Sequence, residues 1–226
     1  MLNRLSWNKA AADEQVYCFS SFSDMDPDPD LSIVLLGKSG AGKSASGNTV
    51  LGRTVFESKS SFRAVTQGIR EETGRVFGKQ IRVIDTPGIL ESQQEIETCC
   101  QDLLKSNRPV LFLVVTSINQ FSEEDQEAVE AAIRVIGPQG FKNTYLLFTG
   151  GDALKNMELD EFLLTDAGGS RLNAVKMSFE GRHHLFNNQN EDQEQVEELL
   201  EKSGHLRSEP PDRYKIHSRS CLRISG

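Results

Sequence analysis

Gly37-Lys38-Ser39-Gly40-Ala41-Gly42-Lys43-Ser44 fits the pattern G-x-x-x-x-G-K-[ST] of a phosphate-binding loop. The spelling has a chemical reason. Glycines at 37, 40 and 42 let the backbone take positive φ and bring its N–H groups around an anion, where a side chain would collide. Lys43 can reach the β- and γ-phosphates of a nucleotide, and the Ser44 hydroxyl is placed to ligate a Mg²⁺ ion that bridges them. The flanks agree. Residues 31–36 are an unbroken apolar-rich run, read as a buried strand, and residues 44–51 open a helix whose N-terminus faces the anion. A glycine-rich turn can match the pattern by accident, but strand and helix on the correct sides make accident a poor explanation.

Outward from this loop, strand-like runs at 33–36, 80–84, 110–115 and 145–148 alternate with helix-like stretches near 44–51, 91–106, 122–136 and 158–164. That alternation predicts an α/β fold with a mostly parallel central sheet and helices on both faces. Residues 76–80 read as a hairpin turn, so one sheet edge is expected to be antiparallel. Ser122 is the expected N-cap of the third helix, with acids in its first turn. A strand at 184–186 and a polar helix at 191–202 complete the domain, which spans 31–202. Residues 1–30, with alternating Asp and Pro at their end, read as a flexible leader, and 203–226 as a flexible basic tail.

The chain has 226 residues, enough for one well-buried domain, and a formal charge of −8. That charge argues against a nucleic-acid or anionic-membrane surface. No apolar run approaches a transmembrane span, and no signal-peptide core is present, so a soluble, cytoplasmic protein is expected. The four cysteines lack C-x-x-C spacing and read as reduced thiols. His183-His184 is a poor metal pair, since neighbours on a strand face opposite sides.

A phosphate loop serves several enzyme classes, so the choice among them rests on residues further along the chain. Asp85 closes a strand and opens Asp85-Thr86-Pro87-Gly88. There its carboxylate can hold Mg²⁺ through a water, and the bare Gly88 N–H can approach a γ-phosphate. Thr66, in the polar stretch 53–68, can supply a second hydroxyl to the metal, as a first switch segment would. Asp152 of Thr149-Gly150-Gly151-Asp152 can accept from N1–H and the 2-amino group of guanine, whereas adenine would leave that charge unpaired. The motif departs from the common [NT]-K-x-D form, because a glycine replaces a lysine whose stem would lie on the base.

Together with Phe121-Ser122-Glu123-Glu124-Asp125-Gln126 and Gly181-Arg-His-His-Leu-Phe-Asn-Asn188, these motifs resemble the GTPases of immunity-associated proteins, the GIMAP family, over about 31–202. The resemblance implies a septin-related GTPase fold, GTP or GDP with Mg²⁺ as ligands, and dimerisation across the nucleotide-binding faces with a second copy or a family member. It implies that the loop 37–44 and Ala45 contact the nucleotide, with Ser58 in the first switch and Asn187 and Asn188 near the base. Lys43, Thr66 and Gln120 are the side chains expected to carry any hydrolysis. The positions after Gly88 hold Ile89 and Leu90, which cannot orient water, and Gln120 stands where hydrolysing family members are thought to place an arginine finger. Such a finger is worth ~10³–10⁵ in rate, so slow hydrolysis is expected. The alternatives are a scaffold that binds GTP without turning it over and, more distantly, a small-molecule phosphotransferase.

Overall fold

The computed structural model describes residues 28–57, 68–119, 121–154, 157–164 and 169–207. In chain order the elements are β1 (Leu31–Leu36), α1 (Lys43–Leu51), β2 (Arg70–Val76), β3 (Lys79–Asp85), α2 (Gln93–Lys105), β4 (Val110–Ser117), α3 (Glu123–Phe141), β5 (Thr144–Thr149), α4 (Leu159–Leu164), α5 (Gly169–Ser178), β6 (His183–Phe186) and α6 (Glu194–Lys202). The strands form one sheet in the order β2-β3-β1-β4-β5-β6. Every pairing is parallel except β2 with β3. That hairpin turns at Phe77 and Gly78, both at positive φ, as a two-residue primed turn requires.

The central strands bury both faces, and the period-2 alternation sorts their side chains into two cores. Val34 and Leu36 of β1 join Phe112 and Val114 of β4 beneath α2 and α3. Leu31, Ile33 and Leu35 join Leu111, Leu113 and Val115 on the opposite face, under α1 and α6. Because β1, β3, β4, β5 and β6 all run the same way, their C-terminal ends and the adjoining loops lie along one edge of the sheet. Ligands of open α/β sheets bind at such an edge.

Several elements differ from the sequence reading. The helix expected to stop at 136 continues to Phe141, but it does so across a break at Gly137 (φ 66, ψ 177) before Pro138, which is where the sequence signal ended it. α5 was not anticipated; only Leu172 of its apolar residues is deeply buried, and Met177 stays exposed, so it carries no clear stripe. α6 starts at Glu194, later than expected, because the Asn190 and Asp192 side chains accept from the N–H groups of Asp192 and Glu194 and hold a turn before it. Just before residue 31, Asp30 pairs with Gln80 through both backbone and carboxylate, and Asp28 meets Arg108. At the other end Leu206 packs on the second core. The rest of the expected leader and tail lies outside the described residues. Among the described residues no helix is long and apolar enough to cross a membrane.

Candidate functional site

The loop between β1 and α1 takes positive φ at Gly37 (143°), Gly40 (80°) and Gly42 (98°). Space is also short at two of these glycines. A Cβ on Gly37 would lie 2.4 Å from the Val115 carbonyl oxygen, and one on Gly42 would press on Thr149 at 3.1 Å. Thr149 is therefore more than the first letter of a base motif: its hydroxyl donates to the Ala41 carbonyl at 2.8 Å and ties the loop to the end of β5. On the other side, the Ile89 N–H donates to the Gly37 carbonyl at 3.1 Å, joining the segment after Asp85 to the same loop. Thr86 donates to the Leu35 carbonyl at 2.7 Å and so serves the scaffold.

Lys43 is 6% exposed, and its ammonium donates to the loop's own carbonyls, Lys38 at 2.8 Å and Gly37 at 3.1 Å. Burial pulls its pKa down to about 8, against the pull of the Asp85 and Glu91 carboxylates. Ser44 Oγ donates to Asp85 Oδ2 at 2.6 Å, and Asp85 is almost wholly buried. A hydroxyl and a carboxylate in contact are hard oxygen donors suited to Mg²⁺, and the glycine-rich loop beside them, at positive φ, suits a polyphosphate.

The shift at Lys43 sets a pH dependence. As the expected phosphate ligand, Lys43 acts through its ammonium form, so nucleotide affinity is expected to be flat below about pH 7, to fall as pH rises through about 8, and to show proton uptake on binding in that range. In the nucleotide-free protein the sign reverses. The unfolded chain binds the proton more tightly, so stability from this group increases as pH climbs from about 8 toward the ordinary 10.5. Calorimetry in two buffers of different ionisation enthalpy measures the uptake; its absence at pH 8 would contradict the burial argument.

The base motif sits where β5 ends. A Cβ on Gly151 would meet the Phe186 carbonyl oxygen at 3.2 Å and the Asn187 nitrogen at 3.3 Å, so the loops after β5 and β6 close on one another. Gly150 stands at the position that is lysine in the common form; it has φ 86, and a Cβ there would lie 2.8 Å from Asn119 Nδ2. Asp152 is exposed, with Gln189 Nε2 3.5 Å from its Oδ2. The side chains of Asn187 and Asn188 are engaged within the protein. Asn188 accepts from Thr49 Oγ1 at 2.9 Å and donates to Ser46 Oγ at 3.2 Å, fastening the loop to α1, while Asn187 Oδ1 accepts from the Gln189 N–H. The Lys38 ammonium likewise leaves the loop and meets Asp125. Ser39 and Ala41 lie in the loop itself and Ala45 in the first turn of α1, and Thr66, Ser58 and Gln120 lie outside the described residues.

Three further groups at this edge were not foreseen. Glu91 lays its carboxylate against Gly88, where a Cβ would meet Oε2 at 2.0 Å and the Ser39 nitrogen at 3.1 Å. The acid at 91 could have been noticed from its distance after Gly88. Asn119 and Gln189 are brought in only by the folding of distant loops, and nothing in their local sequence marks them.

The AIG1 family profile matches residues 31–220. This chain belongs to the AIG1 family. Among curated AIG1 relatives it is 38% identical over 194 residues to GTPase IMAP family member 8 of Mus musculus, covering 81% of this chain and 28% of that protein. It is 32% identical over 188 residues to Immune-associated nucleotide-binding protein 4 of Arabidopsis thaliana, covering 76% of this chain and 57% of that one. The chain thus spans a quarter to a little over half the length of these relatives. Among solved structures it resembles Toc33 from Arabidopsis thaliana in complex with GDP and Mg²⁺, with a TM-score of 0.53, 23% identity, and coverage of 71% and 72% of the two chains. A second likeness, TM-score 0.57 at 21% identity over 80% and 86%, is to a structure described by the importance of dimerization for the GTPase activity of atToc33 and psToc159. At that identity both likenesses establish the fold, a P-loop G domain.

Proposed function

We propose that this AIG1-family domain is a guanine-nucleotide-binding switch that hydrolyses GTP slowly with Mg²⁺ and pairs with a second copy or a relative through its nucleotide face. The observation that carries the reading is the convergence of Lys43, Ser44, Asp85 and Asp152 on one edge of the sheet, built from separate loops. In this reading the N–H groups of 39–44 and the Lys43 ammonium cradle the phosphates, which requires Lys43 to give up the Gly37 and Lys38 carbonyls and the Ala41 N–H to give up that of Lys38. Ser44 and Asp85, with Thr66, would hold Mg²⁺, which when bound neutralises charge on the β- and γ-phosphate oxygens. Gly88 presents a bare N–H toward the terminal phosphate, and its loop reports that phosphate to α2. Asp152 reads guanine. The names of the relatives, GTPase and nucleotide-binding protein, support the same ligand class, and the Toc33 description supports pairing. A cytoplasmic location goes with this reading.

Slow turnover agrees with the surroundings of Gly88. Ile89 is fully buried and Leu90 is apolar, so neither can orient a water, and Glu91 beside them is an anion facing the incoming phosphate. The same observation favours a second reading, a scaffold that assembles on GTP without turnover. Phosphate release from GTP with Mg²⁺, across a range of protein concentrations, separates the two. Specific activity that climbs with concentration is the expected result; tight GTP binding with no release at any concentration would leave only the scaffold.

A further inference from the structure

Lys38 belongs to the phosphate loop by sequence, yet its side chain reaches across to the start of α3. Its Nζ donates to Asp125 Oδ2 at 2.9 Å and lies 3.4 Å from Glu124. Asp125 is 5% exposed, and the same oxygen accepts from the Ser122 N–H at 2.9 Å and from the Ser122 hydroxyl. One carboxylate oxygen therefore closes the capping box of α3 and anchors the phosphate loop. On the loop side, the Lys38 carbonyl accepts from Lys43 Nζ at 2.8 Å and from the Ala41 N–H at 3.3 Å. The contacts run without a gap from Ser122 through Asp125 and Lys38 to the lysine that must turn toward phosphate.

We propose that Asp125 is a positioning residue for the phosphate loop, acting through Lys38, and that it ties the exposed segment 122–124 to the state of the nucleotide site. This rests on the guanine-nucleotide reading above. A buried carboxylate that accepts three donors from two elements has little freedom, so a displacement of the loop when Lys43 releases the Lys38 carbonyl is passed to the capping box. A partner that docks on Ser122, Glu123 and Glu124, all exposed, would act on the loop by the reverse route. The Phe121–Gln126 block, one of the motifs that carry the family resemblance, thereby acquires a mechanical role.

The test is the dissociation rate of a fluorescent GDP and of a fluorescent non-hydrolysable GTP analogue from the full chain. Lys38→Met and Asp125→Asn are each expected to speed release about tenfold, and the double variant should be no faster than either, the mark of a coupled pair. Lys38→Arg, which keeps the charge, is expected to recover most of the lost residence time. Glu124→Gln, at the solvent side of the pair, should leave release unchanged. Lys38→Met keeps both members of the capping box, Ser122 and Asp125, and their mutual hydrogen bonds, so it carries the test if Asp125→Asn does not fold. Release from Lys38→Met at the wild-type rate, or a double variant whose effect is the product of the singles, would overturn the inference. Failure of the wild-type chain to bind any guanine nucleotide would overturn the functional reading and this inference with it.

Discussion

Lys43→Ala is expected to weaken nucleotide binding by at least about 100-fold while leaving the fold in place, because charge-assisted hydrogen bonds to phosphate contribute roughly 1.5–3 kcal/mol each and this ammonium would make more than one. The fold should survive because the local changes oppose one another. The Gly37 and Lys38 carbonyls lose a donor, which costs stability, but a cation whose pKa burial has already pulled down to about 8 is also removed from the interior. Thermal unfolding of the nucleotide-free variant should therefore lie within a few degrees of the wild type. A fluorescent-nucleotide titration checks the affinity, and full binding by the variant would count against the phosphate-loop assignment.

Asp152→Asn tests the base. Asparagine places an amide where guanine's N1–H and 2-amino group need an acceptor, so GTP affinity is expected to fall about 100-fold or more, and xanthosine triphosphate, which carries a carbonyl at position 2, should gain. The Gln189 amide 3.5 Å from Asp152 donates toward that carboxylate much as guanine would, which makes it the group that the base must displace. Equal loss of guanine and xanthine nucleotides would place the base elsewhere. An unchanged preference for guanine would mean that the main chain around Gly150 to Asn187 reads it.

These two sites were legible in the sequence for different reasons. The phosphate loop is a local device, in which glycines, lysine and serine at fixed spacing dictate both geometry and chemistry, and the apolar-rich β1 before it announced the sheet. Asp152 was legible because it comes just after an apolar strand. The contacts that complete the site are not local. Lys38 and Asp125 are 87 positions apart, and Thr149 and the Ala41 carbonyl are 108 apart; no periodicity reports such pairs. Asn187 and Asn188 show the opposite limit. Their type suits a base-binding loop, but their side chains hold that loop to α1 and to itself. α5 escaped because it lies half on the surface, where burial does not write a stripe into the sequence.

The two margins of the sheet decide how such domains can meet. β2 opens with the exposed charges Arg70 and Glu71, and β6 is four residues long, so neither margin offers a template for strand addition. In the proposed switch, pairing is then left to helices and loops, and the loops along the strand ends are the ones expected to change with a bound phosphate. Assemblies built in this way would be as reversible as the ligand that shapes their contacts, with no continuous sheet to make them permanent.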